Sequence, residues 1–203
     1  MTINTKDMLN SILSSISRIE YVKPDSIPNI DLYMDQVTTF MEEQLSSSRR
    51  HKEDKILTKT MINNYAKNNL LPPPVKKKYS KEHVLALIFI YYFKNILSIK
   101  DIETLLSPIT EKYFDTGEAL NMTSIYEEIC QLEKSRIDAL QKDVARSYHC
   151  AMHSFADEPE EERDYLQLFS FICSLSFDVY VKKLLIEKLI DNLPESSHEK
   201  KKK

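Results

Sequence analysis

One glycine, Gly117, stands against eight prolines in this chain of 203 residues, and there is no tryptophan. Sheet-rich folds and phosphate-cradling loops lean on glycine for left-handed turns, so its scarcity predicts an all-α protein. Dinucleotide-binding and P-loop fingerprints are excluded as well, because no Gly-x-Gly pair exists. The length is enough to bury a sound core in one large or two small domains.

Apolar periodicity places the helices. Met8, Leu9, Ile12, Leu13, Ile16 and Ile19 predict an amphipathic helix over 7–21. Ile30, Tyr33, Met34, Val37, Phe40, Met41 and Leu45 predict a second over 30–45, capped by Asn29 or Asp31. Residues 46–54 contain no apolar side chain and read as a solvated loop or frayed helix end. Residues 81–95 are apolar around most of a helix, the pattern of a central buried element. A short helix over 99–106 is expected to break at Pro108, followed by a loop over 111–121. A helical hairpin completes the chain, with helices over 123–155 and 165–193 joined by the acidic run 156–164, whose Pro159 and glutamates suit a helix start.

Residues 55–80 draw attention by chemistry. Thr58 is an N-cap for a short polar helix over 59–67, and Asn68 and Asn69 tolerate the left-handed conformation that ends helices. Pro72, Pro73 and Pro74 force an extended path, Lys76, Lys77 and Lys78 form a basic tip, and Ser80 caps the next helix. Ten basic residues against three acidic ones give 49–82 a net +7, which leaves −10 for the rest of a chain totalling −3. A basic island in an acidic protein marks a localised polyanion site. A polar helix, a stiff turn and a basic tip, in that order, are the parts of a winged helix-turn-helix.

The stretch LTKTMINNYAKNNLLPPP resembles the DNA-binding domains of the mercury-resistance-regulator (MerR) family. Thr58 falls on that family's recognition-helix cap, Ile62 on its buried apolar position and Tyr65 on its second tyrosine. Leu70-Leu71-Pro72 falls on its Leu-Leu-Pro turn and Tyr79-Ser80 on the wing exit. The similarity covers about 30–106. Asn63 stands where the family carries a phosphate-gripping arginine, Asn64 replaces a tyrosine and Asn69 a glycine. The loop 46–56 is longer than the family's, and the wing is shorter. The whole chain is also similar to a family of bacterial proteins, mainly Gram-positive, known as a domain of unknown function.

The resemblance implies a sequence-specific DNA-binding transcriptional regulator. Helix 58–67 would read the major groove and the basic wing 75–79 would clamp phosphates. The expected DNA-contacting residues are Arg49, Arg50, Thr58, Lys59, Thr60, Asn63, Asn64, Tyr65, Lys67, Lys76, Lys77, Lys78 and Tyr79. Asparagine pairs bidentately with adenine, and lysine reaches guanine or phosphate. The expected organisation is an N-terminal helix and linker (1–28), the winged helix-turn-helix (29–109), a C-terminal helical dimerisation or effector region (110–194) and a disordered tail (195–203). Double-stranded DNA, a second copy of the chain as homodimer and a small-molecule effector are the implied partners. The alternative is a non-enzymatic helical protein-interaction module that retains the scaffold without DNA binding, and Asn63 in place of arginine favours it.

Other chemistry is thinner. His149 and His153 lie one helical turn apart beside Cys150, a weak metal-grip pattern without further ligands in sequence; no cofactor is expected. No carboxylate pair or nucleophile–base spacing marks an enzyme. Three unpaired cysteines fit a reducing cytoplasm, and the N-terminus lacks a secretory pattern. Charged residues interrupt the most apolar stretch, 165–190, too often for a membrane span.

Overall fold

The computed structural model describes residues 5–16 and 22–194. These form seven α-helices and a two-stranded sheet, a mainly α architecture as the glycine count predicts. The continuation of the first helix to residue 21 and the tail 195–203 lie outside the described residues. The chain divides into two compact units.

The larger unit takes in residues 22–130 and 186–194. Its centre is α4 (Lys81–Phe93), in which every residue from His83 to Tyr91 is buried. Val37 and Met41 of α2 (Met34–Leu45), Ile62 of α3 (Lys59–Lys67) and Ile102 of α5 (Ile99–Tyr113) share its core. Met122 and Tyr126, from the start of α6 (Met122–Ala151), belong to the same core, as does Ile190 near the end of α7 (Glu160–Asp191). The Tyr126 hydroxyl donates to the Val22 carbonyl at 2.7 Å, so a fully buried polar group keeps its partner.

Several local expectations are corrected. The second helix starts at Met34, because Leu32 and Tyr33 form β1 (Leu32–Tyr33) and pair antiparallel with β2 (Lys78–Tyr79). Ile30 and Tyr33 are therefore exposed, and the helix start is capped by Gln36, whose Oε1 accepts from the Tyr33 N–H at 2.9 Å. Pro108 does not end α5; it lies inside the helix, exposed, so the carbonyl deprived of its donor is on the side open to water. Burial of Ile102 and Leu106, with Ile109 and Phe114 packed on the core, holds the helix together across it. The domain boundary expected at residue 109 falls within this helix. Asn121 caps α6, its Oδ1 accepting from the backbone N–H groups of Thr123 (3.0 Å) and Ser124 (3.1 Å).

The smaller unit takes in residues 5–16 and 131–185. Leu9 of α1 (Thr5–Ile16), Ala151 of α6 and Phe171 of α7 are buried together, with Tyr148 edge-on to Phe171. Helix α6 ends at Ala151 rather than residue 155, where Phe155 is left-handed (φ 52°) in the turn. Helix α7 starts at Glu160 rather than 165, with Glu160, Glu161 and Glu162 in its first turn, where the helix dipole favours negative charge.

Candidate nucleic-acid interface

Helix α3 begins as its sequence predicts. The Thr58 Oγ1 accepts from the Met61 N–H at 3.2 Å. Its end is a Schellman turn. Asn69 takes φ 58°, the Leu70 N–H reaches the Tyr65 carbonyl (2.9 Å), and the Asn69 N–H reaches the Ala66 carbonyl (3.4 Å). Leu70 and Tyr65 are both buried, the apolar contact that accompanies this turn. Ile62 and Tyr65 turn inward. Lys59, Asn63 and Lys67 lie along one exposed ridge and Thr60 and Asn64 along the next, which gives α3 one continuous polar face.

Residues 75–78 form a tight hairpin. Val75 and Lys78 exchange both backbone hydrogen bonds, at 3.1 and 2.9 Å. Lys76 (φ 50°) and Lys77 (φ 64°) occupy its two central positions, the type I′ geometry normally given to Asn-Gly. Holding each lysine left-handed costs roughly 1–2 kcal/mol. The tip therefore presents two exposed ammonium groups on a stiff, strained turn.

Both elements converge on the start of α2. Lys59 forms an ion pair with Asp35 in the first turn of α2, and the Lys78 ammonium stands 5.3 Å over the ring of Tyr33, the residue before that helix. One end of the polar helix and the base of the hairpin are thus held two residues apart along the chain.

His83 locks the hairpin from beneath. Its Nδ1 accepts from the Ser80 N–H (3.0 Å) and lies 2.8 Å from the Ser80 Oγ, closing a capping box at the start of α4. The neutral Nε2–H tautomer that this requires donates to the Pro73 carbonyl at 3.4 Å. Tyr79 and Phe114 pack edge-on against the ring on either side. Burial pushes the imidazole below its ordinary pKa. Beside it, Glu82 accepts from the Asp115 N–H, and burial raises its carboxyl.

The loop before α3 is anchored, though its residues 50–55 are exposed. Arg49 is half-buried, pairs with Glu42 at 2.6 Å and donates to the carbonyls of Lys52 (3.1 Å) and Asp54 (3.4 Å), so its guanidinium closes the loop. Arg50 is exposed. Ser48 Oγ and Tyr91 hydroxyl are hydrogen-bonded, and the Lys94 Nζ donates to the Ile56 carbonyl at 2.7 Å. Burial lowers the Lys94 pKa.

The expected contact residues thus divide. Lys59, Thr60, Asn63, Asn64, Lys67, Lys76, Lys77 and Arg50 are exposed; Thr58 is occupied as a cap, and Lys78 is half-buried against Tyr33. Tyr65 and Tyr79 are core side chains whose hydroxyl pKa values burial raises. His83 and Lys94 were not singled out from sequence, although the Ser-x-x-His spacing at 80–83 is the signal of a capping box. His149, Cys150 and His153 are exposed on α6 and its end, where the His153 Nδ1 bonds the His149 carbonyl at 2.7 Å. Among the described residues no group of three potential metal ligands assembles. No helix of the described residues is long and apolar enough to cross a membrane.

Comparison with known proteins adds one finding. No curated protein and no solved structure matches the chain. The domain of unknown function DUF1836 matches residues 22–129, nearly the span of chain that begins the larger unit. The chain belongs to the DUF1836 family.

Proposed function

We propose that this protein is a sequence-specific DNA-binding transcriptional regulator with a MerR-like winged helix-turn-helix, acting as a homodimer. The observation that carries the reading is the convergence of α3 and the lysine hairpin on the first turn of α2. The polar face of α3 suits the major groove, where Asn63 and Asn64 have adenine as partner and Lys59 and Lys67 have guanine or phosphate. Lys76 and Lys77, exposed at the hairpin tip, support the role of a wing that clamps the flanking phosphates. The mechanism is recognition without chemical transformation.

A fluorescence-anisotropy titration with random duplex DNA tests it. With about six cations on phosphates, affinity falls roughly a thousandfold between about 50 and about 200 mM salt. Absence of duplex binding at the lower salt defeats the proposal. Selection from a random duplex library then reveals the operator.

A second reading has its own observation. Lys59 is already paired with Asp35, Glu42 with Arg49, and Glu43 adds an exposed carboxylate to α2. An interaction module that recognises a protein partner through the same scaffold fits that acidic neighbourhood, and it predicts no salt-dependent duplex binding.

A further inference from the structure

The cations of the polar helix and the hairpin are held differently. Among the described residues, Lys67, Lys76 and Lys77 take part in no ion pair, whereas Lys59 is bound to Asp35 and Lys78 stands over the Tyr33 ring. Both holding residues belong to the start of α2, Tyr33 as its N-cap and Asp35 in its first turn. Lys78 is fixed by the backbone as well, since it is the register partner of Tyr33 in the sheet. Lys59 has no such second restraint. It is the first residue of α3, and its side chain and that of Asp35 are 61% and 75% exposed. A pair so open to water adds little to folding stability and is easily broken. The dipole of α2 favours a carboxylate in its first turn, and the bond to Lys59 of a separate helix is a second use of that charge.

We propose that Asp35 is a positioning residue that sets DNA specificity, holding the Lys59 ammonium from the phosphates of arbitrary duplex and releasing it to a matched base pair. The inference rests on the proposed DNA-binding function and names a determinant of its selectivity. Residues 49–82 carry a net +7, and a surface of that charge grips any duplex through its phosphates. Withholding one cation weakens that indiscriminate binding, against which an operator has to compete.

The discrimination follows from charge. Giving Lys59 to a phosphate exchanges one anion for another, and the displaced Asp35 is left beside the DNA backbone, like charge against like. A guanine in the major groove offers O6 and N7 together and carries no net charge to repel the carboxylate. Release of Lys59 is therefore favoured where a guanine lies within its reach and disfavoured elsewhere. One phosphate contact contributes a factor of roughly 8 to affinity at about 0.1 M salt, which bounds what Asp35 can withhold.

The test uses the full chain and two duplexes, one selected by the parent protein from a random library and a scrambled version of it. Asp35→Asn frees Lys59 with little change of shape at an exposed position. It should raise affinity for the scrambled duplex roughly fivefold to tenfold at about 0.1 M salt and steepen its salt slope by about 1. Affinity for the selected duplex should change by less than about twofold, so the specificity ratio falls. Asp35→Glu, which keeps the carboxylate, should keep the parental slope and ratio. In a Lys59→Met background, Asp35→Asn should shift the scrambled-duplex slope by less than half as much. An equal shift in that background overturns the proposal, because Asp35 then acts by general repulsion and not through Lys59. Equal gains on both duplexes, or no gain on the scrambled one, overturn it too and leave the proposed function standing. A parent protein that binds neither duplex defeats the proposed function and this inference with it.

Discussion

The Nζ of Lys94 donates to the carbonyl of Ile56 at 2.7 Å, tying the end of α4 to the chain two residues before the cap of α3. Lys94 also stands 4.8 Å over the Tyr91 ring, and Tyr91 holds Ser48 at the start of the same loop. The central helix thereby sets where the polar helix begins. Lys94→Met keeps most of the stem and removes the donor. Its expected cost is about 1–2 kcal/mol in urea unfolding, because the Ile56 carbonyl loses its charged partner. On the proposed function, duplex affinity should fall further than that stability loss explains, through misplacement of α3. Unchanged stability and unchanged affinity together would show that the loop is held by other contacts.

The hairpin tip trades stability for charge. Lys76→Asn/Lys77→Gly supplies the residues that type I′ turns prefer and should stabilise the protein by about 1–2 kcal/mol. The same change removes two cations. On the proposed function, the slope of log affinity against log salt should become shallower by about 2. Lys76→Ala/Lys77→Ala should lower the slope equally without the stabilisation, since alanine is also strained at positive φ. A slope that neither variant alters removes the tip from the DNA contact.

His83 makes the larger unit sensitive to acid. Burial lowers its folded pKa, so as pH falls below the ordinary histidine value of about 6.5 the unfolded chain takes up a proton first. Its contribution to stability is therefore present above that value and lost as pH falls through the depressed folded one. Protonation at Nδ1 also removes the acceptor for the Ser80 N–H. Glu82 acts in the opposite sense, because its raised carboxyl favours the folded state on protonation. Asp31 and Asp115 oppose the depression of the His83 pKa through their charge. The urea midpoint should drop between about pH 7.5 and about pH 5, and His83→Asn, with an oxygen in place of Nδ1, should show a smaller drop. Equal drops in the two proteins would place the acid sensitivity elsewhere.

The end of α3 offers a backbone test. Asn69→Ala should destabilise by about 1 kcal/mol and Asn69→Gly should be neutral or slightly stabilising, since only the alanine resists φ 58°. Thermal melts of the three proteins measure it, and equal melting temperatures would mean that the turn relaxes on substitution.

Polar caps and apolar periodicity determined much of this protein without tertiary information. Thr58, Ser80 and Ser98 start helices because the backbone N–H groups of a first helical turn need acceptors that these side chains supply locally. Asn69 ends α3 because asparagine tolerates positive φ, and the unbroken apolar run over 84–93 had to be central. Helix α5 shows the limit: Pro108 is a local break signal, overruled by burial of Ile102 and Leu106. The polar face of α3 and the lysine tip were legible for the same local reason. Tyr65 and Tyr79 were not, since a tyrosine at a motif position carries no mark of whether its ring faces solvent or core.

What only the tertiary structure decided depends on partners distant in the chain. Leu32 finds Tyr79 across the sheet, and that pairing moves the start of α2 and exposes Ile30. Lys94 finds Ile56 across 38 residues, and His83 finds Pro73 beneath the hairpin. Charged and aromatic side chains have several energetically similar uses, as cap, anchor or surface contact. Which use prevails is settled by the burial and hydrogen-bond partners that the completed fold provides.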